Sequence, residues 1–529
     1  MEASRILTSL CDPKFYDVPV SKVRVIQTHI SFVALTGSYA YKVKKPVNFG
    51  FLDFSTLEKR KYFCEEELRL NRRLCPDVYL DVLPVTSEDD TLRLNGKGTV
   101  VDYALKMNEF PQENIMTNLL QKGRITEETI EHICSILVDF YAKEKRSPEI
   151  DEYGKLAAVK QNIDENFKQT TSVVDVTIPN KTYQFLKDAN AEYFKKKSEV
   201  FDQRIREERI HDCHGDLHSG NIVVSGKKIF IFDCIEFNKR FRFCDVASDI
   251  GFLAMDLDYQ NQPYLSSYLI NCYREKSGDT SLFTVLNFYK SYRAYVRGKV
   301  LGFQLSDPHV ESARKQEIVS TAGKYFALSE YYARLFSLDV SHPKSLLFVV
   351  SGLTGTGKST VAAKIAVDYH ACQINTDVVR KQRAGVDVFE RHHDQFNTGL
   401  YDPRNVDATY TSVIEEARKR LVKGENVVLD ATFQKQKYRE LARMLAQDTG
   451  SMLILVYCRC PDAVVKHRLL ERVKKKSISD GRWEIYLRQK ETFESFTKKE
   501  NALEMDTSQT SSEYRQGFFI SLLNKVQGM

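Results

Sequence analysis

Two short stretches hold residue types at spacings that can do chemistry. The first is His214-Gly215-Asp216-Leu217-His218-Ser219-Gly220-Asn221, with an apolar run, Lys228 to Phe232, that ends in Asp233. H-x-D-x-x-x-x-N is the spacing of a phosphoryl-transfer loop. One loop must aim a carboxylate, Asp216, at an attacking hydroxyl as general base, and an amide oxygen, Asn221, at Mg²⁺. A second carboxylate, Asp233, then reaches the metal from a neighbouring strand. The second stretch is Gly352-Leu353-Thr354-Gly355-Thr356-Gly357-Lys358-Ser359-Thr360, which fits G-x-x-x-x-G-K-[ST] from Gly352 through Ser359. Its glycines allow backbone conformations in which successive N–H groups point at phosphate oxygens. Lys358 adds a point charge, and the Ser359 hydroxyl can ligate Mg²⁺.

The elements around these stretches must place them. Ser345 to Ser351 is short and apolar, as a buried parallel strand should be, and Val361 to Ala366 reads as a helix. This strand–loop–helix setting makes the glycine loop a phosphate site. In the first half, Val23 to Lys45 alternates as strands with a hairpin break at Thr36-Gly37, and a helix is expected to start at Thr56. Lys42 on the second strand is the expected phosphate contact and Glu67 on the helix its ion-pair partner. Lys44 shares the face of Lys42 and stays a rival for that role. Helices are expected over Thr126–Lys143, Lys181–Arg209, Phe288–Phe303 and Glu317–Leu335, with a linker over Ser337–Lys344.

In the second half, Ala371 to Thr376 reads as a strand with Asp377 just past its end, where parallel sheets build active sites. Asp377 can accept a hydroxyl proton, and Arg380, one turn on, can hold a polar or anionic substrate. An N-cap role for Asp377 is the plainer alternative. Glu425 to Thr432 contains an apolar strand ending in Asp430, expected near the metal. Arg468 and Arg472 share a helix face, and with Lys474-Lys475-Lys476 they suit a lid over phosphates, or else a solvated charged helix.

Composition sets limits. At 529 residues the chain has room for two or three domains, and its 28% charged and 42% hydrophobic content is that of a soluble globular protein. A net charge of +6 with no clustered basic and aromatic stripe argues against nucleic acid as a partner. Eleven cysteines without C-x-x-C pairs suit a reduced, cytoplasmic setting, with Cys458 and Cys460 read as packing residues. No signal peptide and no membrane-spanning run is legible, and nothing fixes an oligomeric state. His214-x-Asp216-x-His218 as a metallohydrolase cluster accounts for neither Asn221 nor Asp233.

The stretch His214 to Asn221, with Asp233 after it, resembles the aminoglycoside phosphotransferase family, whose loop has the form H-G-D-x-H-x-x-N. That resemblance implies a two-lobed protein-kinase-like fold over residues 1–340, with Asp216 as base, Asn221 and Asp233 as Mg²⁺ ligands and Lys42 on the α/β-phosphates. It also implies that Asp245 and Asp249 hold the catalytic loop. No G-x-G-x-x-G precedes Lys42, only Thr28 to Phe32. Residues 345–529 resemble the small P-loop kinases, gluconate-kinase-like and zeta-toxin-like proteins, on the P-loop, Asp377 with Arg380, and Arg468 with Arg472. The implied fold is a P-loop NTPase of three α/β/α layers with a parallel sheet. The expected whole is a fusion of α+β and α/β domains that uses ATP and Mg²⁺ on small-molecule hydroxyl acceptors. One half regulating the other, or a nucleic-acid or nucleotide-sugar acceptor for the P-loop half, stays open.

Overall fold

The computed structural model describes residues 2–144, 146–307, 310–341, 344–387, 390, 399–473 and 479–528. Its first sheet is antiparallel throughout. The six strands β1 (Arg24–Gln27), β2 (Ser31–Leu35), β3 (Tyr39–Lys44), β4 (Tyr79–Glu88), β5 (Thr91–Leu94) and β6 (Thr99–Asn108) lie in the order β1-β2-β3-β6-β4-β5. Alternation along β3 sends Tyr41 and Val43 into a core with Phe32, Val85 and Ala104, leaving Lys42 and Lys44 on the opposite side. The expected hairpin break falls at Thr36–Ser38, and a second tight turn, Thr28–Ile30, joins β1 to β2 where a glycine loop was sought. The helix Leu57–Asn71 is capped by Thr56, whose hydroxyl accepts from Lys59 N. Its inward residues include Glu67, Leu70 and Asn71.

Two short ribbons follow, β7 (Ile210–Asp212) with β10 (Phe243–Asp245) and β8 (Ile222–Ser225) with β9 (Lys228–Ile231), both antiparallel. The loop from His214 to Asn221 lies between β7 and β8, so one ribbon holds each of its ends. The helix Val246–Tyr259 is buried from Val246 through Leu257, which makes it a central support for that loop.

The second sheet is parallel. β11 (Leu346–Ser351), β12 (Ala371–Asn375), β13 (Asn426–Asp430), β14 (Met452–Arg459) and β15 (Leu503–Asp506) lie in the order β12-β13-β11-β14-β15. All six residues of β11 are buried, as an apolar strand inside a parallel sheet must be. Val350 of β11 pairs with Asp430 of β13, so the acid ends beside the base of the P-loop.

By compactness the chain divides into Met1–Ser172, Lys197–Gln260 and Cys272–Lys299 as one unit, and Val173–Lys196, Asn261–Asn271 and Val300–Met529 as the other. This differs from the sequence boundary at 340/345. The helices Asn180–Lys196 and Ser312–Ser341 group with the parallel sheet. Tyr193 stacks edge-on against Phe336 at 5.0 Å, and Tyr331 Oη donates to Asp368 on the P-loop helix at 2.6 Å. The expected linker is helical through Ser341, while His342 and Pro343 lie outside the described residues. The expected helix over Lys181–Arg209 is two, Asn180–Lys196 and Ser198–Arg206, parted at Lys197. Among the described residues no helix is long and apolar enough to cross a membrane.

Candidate active sites

In the first unit the strand and helix bring their charges together. Lys42 Nζ donates to Glu67 Oε1 at 2.8 Å and to Asp233 Oδ1 at 2.7 Å. The other Glu67 oxygen accepts from Lys44 Nζ at 2.6 Å, and Lys44 also pairs with Glu236. Glu67 is wholly buried and Lys42 13% exposed, whereas Asp233 is 42% exposed. Burial disfavours charge on Glu67, but Lys42 and Lys44 outweigh it and hold the carboxyl below its ordinary range. Burial likewise disfavours the Lys42 ammonium, and Asp233 and Glu67 reverse that. Glu236 is pushed the other way, up, by burial. The question of Lys42 or Lys44 thus resolves by partners: both meet Glu67, but only Lys42 reaches Asp233.

The loop that carries Asp216 is fixed from behind. Asp249 accepts from the backbone N–H of His214 at 2.7 Å and of Gly215 at 2.9 Å. Asp256 accepts from Ser219 N at 2.9 Å. Asp249 therefore holds the loop as expected. Asp245 instead caps the helix Val246–Tyr259 and forks to Arg204, and Asp256 is the second loop anchor. Gly215 has φ +85°, and a Cβ there would lie 2.9 Å from Phe241 O. His214 Nδ1 accepts from Asp216 N and its Nε2 donates to Phe232 O, so the ring is a neutral spacer between Asp216 and the residue before Asp233. Burial lowers its pKa, in keeping with a neutral ring. The Asn221 amide nitrogen donates to Asp216 O at 3.0 Å and Oδ2 at 3.1 Å, which leaves its oxygen for a metal. Asp216 is 35% exposed. Burial opposes its charge, yet His218 and Arg297 hold its carboxyl below the ordinary aspartate range. Asp233 sits at φ +62°, an uncommon backbone for a non-glycine, and is tied by its N–H to Tyr79 Oη.

In the second unit Gly352, Leu353, Thr354, Gly355, Thr356, Gly357, Lys358, Ser359 and Thr360 close the turn from β11 into the helix Lys358–Asp368, with Gly357 at its N-cap. Gly355 has φ +78°, and a Cβ on it would stand 2.9 Å from Val465 Cγ1. Ser359 is exposed at the mouth of the loop. Asp377 lies in the first turn of the helix Thr376–Arg383, but Asn375 is the N-cap, its Oδ1 accepting from Asp377 N at 2.8 Å. That frees the Asp377 side chain, which takes Arg380 Nη1 at 2.6 Å. Burial would raise the Asp377 pKa, and Arg380 and Lys358 pull it down below the ordinary range. Arg380 in turn lies over the Tyr401 ring at 4.6 Å, and Tyr401 Oη donates to the buried Asp480, which also pairs with Lys381. Arg468 donates through both Nη atoms to Thr507, beside Gly357. Arg472, on the same face one turn on, is close enough for Asp377 and Arg468 to act on its charge. Lys474, Lys475 and Lys476 lie outside the described residues.

Both centres fit Mg²⁺ on the chemistry of their donors. Asp430 Oδ2 accepts from Asn375 at 2.6 Å and Gln373 at 3.1 Å, while its buried Oδ1 has no hydrogen-bond partner. A buried carboxylate oxygen without a donor is what a hard cation or its water would complete. Burial raises the Asp430 pKa, with Lys358 and Ser359 opposing. At the first centre the oxygens are those of Asn221 and Asp233. Among the described residues no three His, Cys, Asp or Glu side chains cluster as a metal cage.

Residues 347–496 match the family described as AAA domain, a span that starts within β11 and takes in the P-loop, Asp377 and Asp430. The uncharacterized protein Rv2004c of Mycobacterium tuberculosis (strain ATCC 25618 / H37Rv) is 30% identical over 456 residues, 86% of this chain and 87% of that protein. The chain belongs to the Rv2004c family. The match spans more residues than either compact unit holds, so the Rv2004c family shares sequence from both units. Among solved structures, a gluconokinase from Sinorhizobium meliloti 1021 is 20% identical, covers 35% of this chain and 95% of its own, and has a TM-score of 0.25. A choline/ethanolamine kinase family protein from Mesorhizobium loti is 12% identical, covers 63% and 100%, and has a TM-score of 0.37.

The residues that sequence reasoning missed are partners rather than actors. Glu236 completes the buried charge cluster, Arg297 stands beside His218 and Asp216, Asp256 anchors the loop, and Asn375 releases Asp377 from capping.

Proposed function

We propose that the chain is an ATP-dependent phosphotransferase with two nucleotide sites, each passing a γ-phosphate to a hydroxyl of a small-molecule acceptor. In this reading the half up to residue 340 is a two-lobed protein-kinase-like domain and residues 345–529 are a three-layer P-loop domain. The observation that carries it is Lys42 joined at once to Glu67 and Asp233. A lysine fixed by a buried acid and extended to a half-exposed one is the arrangement that presents a cation to nucleotide phosphates beside a metal-binding carboxylate. Mg²⁺, held by Asn221 and Asp233 in one site and by Ser359 and Asp430 in the other, would supply charge neutralisation on the phosphates. The chain's own groups do the rest. Asp216 and Asp377 orient the acceptor hydroxyl and take its proton as the new P–O bond forms and ADP leaves. Lys42 and Lys358 hold phosphate oxygens, while Arg380 steadies the acceptor and Arg468 and Arg472 close over the transferring group.

A second reading, the P-loop half as a nucleotide sensor for the other, is favoured by one contact. Gln489 Oε1 accepts from the P-loop amide of Thr354 at 2.9 Å, so a side chain engages a backbone donor of the loop. Paired substitutions separate the two readings. With a metabolite extract as acceptor source, Asp216→Asn and Lys358→Ala should each abolish one ATP-consuming activity and spare the other. If Lys358→Ala leaves every product intact while altering only the rate at the Asp216 site, the sensor reading replaces the two-site one.

A further inference from the structure

Five charges form a closed chain around Lys42. Lys42 and Lys44 stand two apart on one face of β3, and Asp233 and Glu236 stand three apart on the segment after β9. Glu67 lies between the lysines and gives one oxygen to each, at 2.8 Å for Lys42 and 2.6 Å for Lys44. Each lysine then reaches one acid of the segment, Lys42 to Asp233 at 2.7 Å and Lys44 to Glu236. The side chains of Lys44, Glu236 and Glu67 are 1%, 5% and 0% exposed, so these charges have chiefly one another for compensation. The segment is also tied to the helix Leu57–Asn71: Cys234 N donates to Asn71 Oδ1 at 2.9 Å, and Asn71 Nδ2 donates to Glu67 O at 2.9 Å. An ammonium has three N–H donors, and Lys42 places two of them on Glu67 and Asp233. Where the third points is set by those two acids. A buried ion pair is dispensable for stability when apolar side chains of similar volume replace it, so a packing role for Lys44 and Glu236 can be separated from a role in the site.

Resting on the phosphate role of Lys42 at this site, we propose that Lys44 and Glu236 are positioning residues for the nucleotide. Lys44 fixes the second oxygen of Glu67, and through Glu236 it fixes the segment that carries Asp233. The Lys42 ammonium is thereby held between two acids with its remaining donor directed at phosphate. Neither Lys44 nor Glu236 touches the nucleotide, and their effect passes through Lys42.

The test uses the full chain carrying Lys358→Ala as parent, so that calorimetry with ATP and Mg²⁺ reads the first site alone. Lys44→Met together with Glu236→Met removes the pair at similar volume, and denaturant unfolding checks that the fold survives. The expected result is a midpoint close to the parent's with ATP binding weakened about tenfold, the scale of one charge-assisted hydrogen bond. Lys42→Met should weaken binding at least as much. Adding the pair replacement to Lys42→Met should then weaken it no further, because the pair acts through Lys42. Glu236→Leu spares the contact of Lys44 with Glu67 and serves if the double variant does not fold; it should weaken ATP binding about threefold. Parent-level ATP affinity in the folded double variant, or in Glu236→Leu where only that one folds, would make the pair a packing device and overturn the proposal. So would losses that add in full on the Lys42→Met background. If Lys42→Met binds ATP as the parent does, or the parent binds none, the phosphate reading of this site falls, and the inference with it.

Discussion

At the first site the lysine finds its acids across the fold. Lys42 meets Asp233 from 191 positions away and Glu67 from 25, and every group that matters is a side chain. At the P-loop a run from Gly352 to Thr360 offers backbone N–H groups and one lysine instead. The first arrangement needs buried charges to compensate one another. The second needs only a backbone shape, which glycine and the start of a helix provide. The two sites should therefore fail differently: the first by unfolding when a charge is removed, the second by losing ligand while the fold survives.

The largest effect tests that contrast directly. Glu67→Gln removes a wholly buried carboxylate from between two lysines, and breaking such a buried ion pair costs about 3–5 kcal/mol. The denaturant midpoint of the unfolding step that includes residues 24–108 should fall accordingly. Lys358→Ala, which has no ion pair in the described residues, should leave the midpoint within about 0.5 kcal/mol of wild type while abolishing nucleotide binding at its site. Equal destabilisation by the two substitutions would erase the distinction.

Next in size is a change of shape rather than charge. Gly355→Ala places a Cβ at φ +78° and 2.9 Å from Val465 Cγ1, a strain on the order of 1–3 kcal/mol. Relief of that strain must distort the loop, so ATP affinity at this site should fall about 10- to 100-fold by calorimetry. Turnover that needs Asp216 should not change. A Gly355→Ala protein that binds ATP as tightly as wild type would mean that the loop's N–H groups are not the ligand-binding surface.

How much of each site could be read from the sequence follows from the same difference. The P-loop, its strand and its helix are contiguous, so spacing alone located them, and Asp377 with Arg380 is likewise a local, one-turn relation. Asp216 and Asn221 were legible for the same reason. Lys42, Lys44 and Glu67 were placed only by strand alternation and helix phase, and Glu236, which completes their charge cluster, was not. Arg297 could not be found at all, because its place beside His218 depends on the course of a helix that begins 65 positions after it. The grouping of the helix Ser312–Ser341 with the parallel sheet has the same origin. The sequence marks a helix there, whereas Tyr331 on Asp368 shows what it packs on.

A pH comparison gives a smaller effect, expected at one site and not at the other, because the two carboxylates are shifted in opposite directions. Asp216 is held below the ordinary aspartate range, so its base form is present throughout ordinary assay conditions and its acid limb falls beneath them. Asp430 is shifted upward by burial, so protons compete for it at a pH where an ordinary aspartate is already ionised. As pH is lowered through the raised Asp430 pKa, the Mg²⁺ concentration needed for half-maximal Lys358-dependent turnover should rise, by about threefold per half unit below it. Asp216-dependent turnover should stay flat over the same interval. An acid limb that appears first in the Asp216 activity would reverse the electrostatic assignment of the two carboxylates.

The smallest effect concerns a P-loop N–H that a side chain engages. Gln489 accepts from Thr354 N at 2.9 Å, and an intramolecular hydrogen bond of this kind contributes about 0.5–1.5 kcal/mol. If phosphate must take that N–H from Gln489, then Gln489→Ala removes a competitor, and ATP should bind about 2- to 10-fold more tightly. If instead Gln489 holds the loop in its binding shape, the same substitution loosens the loop and ATP binds more weakly. The sign of the change therefore tells whether the backbone of this site stands ready for ligand, as the contrast with the side-chain-built site requires, or is itself held in shape by a side chain 135 positions away.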